Sequence, residues 1–141
     1  ENLARAMVNT YKNKVSGPII DRIDLWLEVP HVPYETLTSL PSKTDETTAA
    51  RKLILSARAA QATRVPGTPY NATLSARDIE QTITLTDDVK ELLKTSSQKL
   101  NLSPRSYHRL IKVARTIADL DQAEHIAVPH VLEALQYRVS L

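Results

Sequence analysis

Residues 102–120 read LSPRSYHRLIKVARTIADL, and this stretch decides the fold because it predicts an amphipathic helix with a sharp beginning. Ser103 can cap free backbone amides, while the fixed backbone angle and missing amide of Pro104 suit the first helical position. At helical spacing, one side is apolar and consists of Tyr107, Leu110, Ile111, Ala114, Ile117 and Ala118. The other side is basic and carries Arg105, Arg109, Lys112 and Arg115. The apolar side needs partner helices, which predicts a bundle.

Further helices are predicted on both sides of this one. Downstream, a helix opens at Pro129 and runs to Arg138. Upstream, Ser75 predicts the start of a short helix to Thr82, and Thr86 the start of another to about Leu100. Earlier still, a helix from Asp45 to near Arg64 has one face made of Ala50, Leu53, Ile54, Ala57 and Gln61, and it ends before Pro66, Gly67 and Pro69. Only 4% of the residues are aromatic and none is Phe, so a core of aliphatic side chains on packed helices is expected.

The first 44 residues follow a different pattern. Apolar residues four apart predict a helix over Leu3 to Val15, and Ile23 to Val29 reads as one buried strand. A single strand leaves backbone groups unpaired on both edges, so we expect its neighbours in sequence that precedes Glu1, which is not Met. We therefore predict a mainly α chain in three parts: a helix-strand remnant of an α/β core (1–30), a Pro-rich connector with a linker helix (31–64) and a C-terminal helical bundle (65–141).

Composition excludes several classes of site. The chain has no Cys, and His31, His108, His125 and His130 lack metal-ligand spacing, so no metal site is expected. The glycines, Gly17 and Gly67, form no phosphate-binding loop, and no Ser lies in a nucleophile-elbow sequence. The net charge of +2 is too small to attract nucleic acid or a membrane in bulk. No apolar run reaches spanning length and no signal peptide is visible, so we expect a cytoplasmic protein.

Two arginines are candidates for function. Arg105 lies in the first turn of its helix, where the backbone is already positive, so a bound phosphate would relieve an unfavourable placement. Arg22 lies between Asp21 and Asp24, where it either pairs with one of them or reaches the phosphates of a neighbouring subunit. In one alternative, the chain is a structural interaction domain and the whole basic face is solvated surface without a ligand. A second alternative is a stand-alone DNA-binding module that uses this face with Lys52, Arg58 and Arg64.

Four segments, taken in order, resemble one protein family. SGPIIDRIDLWLEVP at 16–30, NATLS at 71–75, LSPRSYHRLIKVARTIADL at 102–120 and HVLEALQYR at 130–138 resemble the magnesium-chelatase-like AAA+ ATPases, specifically the competence protein ComM branch. The resemblance covers nearly the whole chain. The sequence differs from the residues that are common in the family at Lys14, where Arg is common, and at Trp26, where His is common.

The resemblance implies a role for each part. Residues 1–30 resemble the tail of the ATPase core and the C-terminal bundle resembles the helical lid. Arg22 resembles the arginine finger, which acts across a subunit boundary, and Arg105 resembles the sensor-2 arginine. The full-length parent would then bind ATP and Mg²⁺, form a homo-oligomeric ring, expected to be a hexamer, and remodel DNA by branch migration or helicase-like action, or else drive metal insertion. We expect this chain alone to bind no cofactor and to turn over no ATP.

Overall fold

A computed structural model of the chain describes residues 19, 22–27, 29–34, 45–67 and 70–138. The α-helices that lie wholly within these ranges are α1 (Glu46–Arg64), α2 (Ala76–Thr82), α3 (Asp87–Lys99), α4 (Pro104–Leu120) and α5 (Val128–Gln136), with a 3₁₀ turn at Asn71–Thr73 before α2. The described part of the chain is mainly helical, which confirms the predicted helical bundle. No helix in it is both long enough and apolar enough to cross a membrane.

Helix α4 is the centre of the bundle. It packs against α1, α2, α5 and the 3₁₀ turn, while α3 packs against α5. The side that α4 buries is the one that its sequence predicts, with Leu110, Ile111, Ala114 and Ala118 almost completely inaccessible to solvent. Burying a leucine or isoleucine of this kind stabilises the fold by about 1.5–3 kcal/mol. The amphipathic pattern of one helix therefore fixes the position of its neighbours.

The helix beginnings predicted at Ser75 and Ser103 are confirmed by their hydrogen bonds. Ser75 accepts from the Asp78 amide at 3.1 Å, and the Asp78 carboxylate accepts from the Ser75 amide at 2.8 Å, which completes a capping box on α2. Ser103 accepts from the Ser106 amide at 3.2 Å and Pro104 is the first residue of α4. These bonds satisfy amides that have no partner inside their own helix.

Two helix ends use non-glycine residues in the left-handed region. After α4, Gln122 has φ +56°, and the Ala123 amide donates to the Ala118 carbonyl at 2.8 Å. After α3, Asn101 has φ +48°, and the Leu102 amide donates to the Ser97 carbonyl at 3.0 Å. Both are Schellman caps, which usually place glycine at this position. The cap on α4 turns the following loop back over the helix.

Neither of the two secondary-structure predictions for the N-terminal residues is confirmed. The helix predicted over Leu3 to Val15 lies outside the described residues. The strand predicted over Ile23 to Val29 is wrong, because no strand is formed anywhere in the described ranges and Leu27 and Val29 are exposed. Among the described residues, no neighbouring strand supplies hydrogen bonds to this segment. It lies instead against the bundle, where the Trp26 amide donates to the Tyr137 carbonyl at 2.8 Å.

Helix α1 buries only the second half of its predicted face. Ala57 and Gln61 are buried, whereas Leu53, Ile54 and Leu55 are exposed. The apolar positions near the beginning of α1 thus extend beyond the part of the helix that is covered. The predicted boundaries of the three parts at residues 30 and 64 stay predictions.

Candidate functional site

Arg105 projects from the first turn of α4 into an open groove. The groove has a volume of about 640 Å³. Its walls come from α4, from the start of α2, from the 3₁₀ turn, from α5 and from the segment around Asp24 and Leu25. Arg105 is exposed, and the described residues offer its guanidinium no hydrogen-bond or ion-pair partner. The first turn of α4 contains no acidic residue, so the local field at Arg105 is uncompensated.

The next basic residues along α4 already have partners. Arg109, one turn further on, donates from Nε to the Asp24 carboxylate and from its guanidinium to the backbone carbonyl of Arg22. Lys112 donates from Nζ to the carbonyl of Ala72 at 3.0 Å. Partial burial lowers the pKa of Lys112, and the nearby Asp24 carboxylate opposes that change. Of these basic residues, Arg105 is the one whose donors have no partner within the described ranges.

Arg115 does not belong to the basic surface. The prediction that it lies on an exposed charged face is wrong, because only 3% of the residue is accessible to solvent. Its guanidinium donates to the carbonyls of Glu124 at 2.9 Å and Ala123 at 2.6 Å, and its Nε donates to Asp119 at 3.1 Å. Its position lies between the basic and apolar sides of α4, and the Schellman cap after α4 brings these two carbonyls within its reach. Arg115 is therefore a structural residue.

Asp119 is the acceptor at the centre of a buried polar network. Its carboxylate accepts hydrogen bonds from Arg115 and Arg64, and from the Asn71 side chain at 2.8 Å. Asn71 also accepts from Arg64 at 2.8 Å and donates to Thr116 at 3.0 Å. No buried side-chain polar atom among the described residues is left without a partner. The network ties α1 and the 3₁₀ turn to α4, and so holds the groove wall in place.

Arg22 lies on the exposed segment that borders the groove. Its amide donates to the Ile19 carbonyl at 2.9 Å, and its own carbonyl accepts from Arg109. The alternative in which Arg22 pairs with Asp24 is not what the structure shows, because Asp24 pairs with Arg109. Asp21 lies outside the described residues. Within the described ranges, the Arg22 guanidinium has no carboxylate partner.

The structure thus connects two segments that sequence reasoning treated separately. Arg109 lies on the helix that carries Arg105 and holds the backbone of Arg22. No sequence signal identifies this link, because Asp24 and Arg109 are 85 residues apart. The Arg115–Asp119 pair, by contrast, has the four-residue spacing of an intrahelical ion pair and could have been recognised from the sequence.

The described histidines and carboxylates do not form a metal site. No group of three or more His, Cys, Asp or Glu side chains within the described ranges could hold an ion. His130 has a structural role, since its Nδ1 accepts from the Ala127 amide at 2.9 Å at the beginning of α5. Its Nε2 lies 3.3 Å from the Asp121 carboxylate.

The cations proposed for a stand-alone DNA-binding module are largely engaged with the protein itself. Arg64 pairs with Asp119, and Arg58 lies 4.4 Å from the centre of the Tyr70 ring and donates to Gln61 at 3.2 Å. Arg109 and Arg115 are paired as described above. Arg105 and Lys52 are therefore the cations of this set that have no partner within the described ranges.

Two family models match the chain. The model described as magnesium chelatase, subunit ChlI C-terminal, matches residues 44–138, which include all five described helices. The model described as magnesium chelatase, subunit ChlI, matches residues 2–37, which include Arg22. The second match includes the segment of Arg22 and Asp24, and the first match includes Arg105 and the helices that line the groove.

Curated relatives match along most of this chain. Competence protein ComM of Haemophilus influenzae is 40% identical over 128 residues, which are 91% of this chain and 25% of that protein. Proteins named YifB from Salmonella typhimurium and Escherichia coli are 38% and 37% identical over the same length. The chain spans about a quarter of the length of these relatives.

Proposed function

This chain belongs to the magnesium chelatase subunit ChlI family, and from that premise we propose that it is the helical lid and finger region of a ring-forming AAA+ ATPase. The lid corresponds to the bundle around α4, and the finger to the segment that carries Arg22. In this proposal, the phosphate-binding loop and the Mg²⁺ ligands belong to other parts of a longer parent protein. The chain itself contains no phosphate-loop sequence around Gly17 or Gly67.

The observation that carries the proposal is the exposed charge of Arg105, which lines the groove. A cation in the first turn of a helix adds to the positive end of the helix dipole, and an anion bound there offsets both. The phosphate groups of ATP are negatively charged, and the Arg105 side chain can bind one of them. A guanidinium fits this task because its planar set of donors matches phosphate oxygens. We propose that Arg105 binds a phosphate oxygen and so couples the position of the lid to the nucleotide.

Arg22 is proposed to act on a neighbouring subunit. It is exposed and has no carboxylate partner within the described ranges, so its guanidinium can reach outward. A positioned arginine stabilises the charge that develops during phosphoryl transfer. An arginine finger acts on the nucleotide of an adjacent subunit, so this role requires an adjacent copy of the protein. This supports a homo-oligomeric ring, which we propose to be a hexamer.

We propose DNA as the remodelled substrate. A relative named competence protein supports this choice, and branch migration or helicase-like action is what the family resemblance implies. The family's name favours a second candidate, a motor subunit for metal insertion. An independent DNA-binding module has weaker support, because most of its cations are engaged within the protein. The absence of Cys fits a reducing compartment, and we place the protein in the cytoplasm.

The test is the ATPase activity of the full-length parent carrying Arg22→Ala, alone and mixed with a phosphate-loop variant of the same protein. Loss of an arginine finger lowers turnover by about 10³–10⁵-fold, and recovery in the mixture would show that Arg22 acts across a subunit boundary. Arg105→Ala is expected to raise the KM for ATP and to lower turnover. Arg77→Ala is the matched control, because Arg77 is an exposed arginine on α2 outside the groove.

Two results would contradict the proposal. Normal turnover of both Arg22→Ala and Arg105→Ala would remove the assigned roles and leave a structural domain. Stimulation of the ATPase by a porphyrin and not by single-stranded DNA would retain the ATPase and replace the substrate. The DNA measurements need a salt series, because phosphate contacts weaken steeply with ionic strength.

A further inference from the structure

Arg109 makes a two-point contact with the segment that carries Arg22. Its Nε donates to the carboxylate of Asp24, and its terminal nitrogen donates to the carbonyl of Arg22 itself. The Arg109 side chain is 19% exposed and that of Asp24 is 50% exposed, so the pair lies at the rim of the groove rather than in bulk solvent. A planar guanidinium that reaches two acceptors fixes orientation as well as distance.

A third contact continues this attachment further along the segment. The Trp26 amide donates to the Tyr137 carbonyl just after α5, at 2.8 Å. Tyr137 lines the same groove as Arg105 and Asp24. The segment from Arg22 to Trp26 is thus held at one end by α4 and at the other by α5, and α4 and α5 pack against each other. A shift of α4 therefore moves both attachments.

We propose that Arg109 is a positioning residue that transmits the position of the lid helix to the arginine finger. Arg105 and Arg109 are one turn apart on the same face of α4, so a ligand that moves Arg105 also moves the residue that holds Arg22. This inference rests on the proposed function of Arg22 and Arg105. It adds Arg109 as the residue that links the lid to the finger. The nucleotide bound by the lid of one subunit then sets the orientation of the arginine finger that the same subunit presents to its neighbour.

The electrostatics of the groove support a contact that responds to a bound anion. The Asp24 carboxylate lies near both Arg109 and Lys112, and together with Asp78 it opposes the lowering of the Lys112 pKa by burial. Glu133 also lines the groove, from the side of α5. A phosphate placed at Arg105 would bring negative charge next to Arg109 and would compete with Asp24 for it. The contact can therefore have two arrangements, one with the groove empty and one with it filled.

The first part of the test uses the chain's only tryptophan. Trp26 is half-buried and belongs to the held segment, so its fluorescence reports on the attachment. In the 141-residue chain, Arg109→Ala and Asp24→Asn are each expected to shift the Trp26 emission to the red and to increase its quenching by acrylamide. Arg77→Ala should leave both signals unchanged. Far-UV circular dichroism checks that each variant keeps its helices, and Asp24→Asn serves alone if Arg109→Ala does not fold.

The second part uses steady-state ATPase kinetics of the full-length parent. Arg109→Ala is expected to lower kcat by up to about 100-fold through misplacement of Arg22, with the KM for ATP unchanged. Arg109→Lys keeps the charge but loses the planar, forked set of donors, so its kcat should lie between those of the wild type and Arg109→Ala. Mixing Arg109→Ala with a variant that binds ATP but does not hydrolyse it should restore turnover, because that variant supplies a finger oriented by its own bound nucleotide.

The outcomes separate this inference from the function on which it rests. If Arg22→Ala abolishes turnover while Arg109→Ala and Asp24→Asn keep normal kcat, the finger assignment stands and the positioning role of Arg109 is overturned. An unchanged Trp26 signal in both variants would likewise overturn it. A rise in KM without a fall in kcat would make Arg109 a nucleotide contact instead. If Arg22→Ala and Arg105→Ala both keep normal turnover, the proposed function fails, and the inference fails with it.

Discussion

Replacing Asp119 by alanine should be among the most destabilising single changes in the bundle. The Asp119 side chain is 1% exposed and accepts from Arg115, Arg64 and Asn71. Its removal leaves the guanidinium of Arg115, which is 4% exposed, buried without a counter-ion. Breaking a buried ion pair in this way costs about 3–5 kcal/mol. Since a domain is stable by only about 5–15 kcal/mol, Asp119→Ala should remove a large part of the free energy of unfolding.

Urea unfolding followed by circular dichroism at 222 nm measures this change. With an m-value of about 1–3 kcal/mol/M, a loss of 3 kcal/mol or more lowers the midpoint by at least about 1 M. The matched control is Glu91→Ala, which removes an exposed carboxylate 3.7 Å from Lys94 on the surface of α3. That variant should change the free energy of unfolding by less than about 1 kcal/mol.

A double variant tests the reason for the cost. If the unpaired charge of Arg115 is responsible, Arg115→Met combined with Asp119→Ala should be more stable than Asp119→Ala alone, because the buried charge is then absent. Arg64 is 17% exposed and can turn towards water. A loss below about 1 kcal/mol in Asp119→Ala, or a double variant no more stable than the single one, would refute the reasoning.

Two further predictions concern the cap of α2 and the core. The pKa of Asp78 is lowered from its ordinary value of 3.8, first by the hydrogen bond from the Ser75 hydroxyl and then by the one from the Ser75 amide. The ionised carboxylate therefore stabilises the folded state above pH 3.8. This stabilisation is lost as the pH falls through the lower pKa of the folded state. In urea midpoints measured from about pH 5 to pH 2, Asp78→Asn should therefore show a smaller decrease than the wild type. Leu93→Ala removes a side chain that is 1% exposed on α3, and the cavity should cost about 2–5 kcal/mol in the same urea assay.

Each of these two predictions has an outcome that contradicts it. An unchanged acid dependence in Asp78→Asn would show that ionisation of the capping carboxylate does not stabilise the folded state. For the core, the control is Leu55→Ala on α1, where the leucine is 63% exposed and its loss should change the stability by less than about 0.5 kcal/mol. Equal losses in Leu93→Ala and Leu55→Ala would mean that the described burial does not determine stability.

The helices could be predicted because their signals are local. Ser75 and Ser103 cap their helices as their sequence neighbours indicate, and the apolar side of α4 is buried as its spacing predicts. The strand over Ile23 to Val29 was wrongly predicted, since alternating apolar residues indicate a strand only where another strand is present to pair with it. The left-handed cap at Gln122 also gave no signal, because glycine is the usual residue there.

The candidate site divides in the same way. The sequence by itself identified Arg105 as a cation in an unfavourable helical position and, through resemblance, Arg22 as the finger candidate. It could not distinguish Arg115 from the surface cations, because helical spacing places it at the edge of the basic side and burial depends on the loop that covers it. Periodicity and capping determined which helices form and which side of α4 faces inward. Only the tertiary structure decided which charges are paired. Asp24 pairs with Arg109 across 85 residues, and Asp119 pairs with Arg64 across 55 residues. The energy of an ion pair depends on the distance between the charges and on their burial, and not on their positions in the chain.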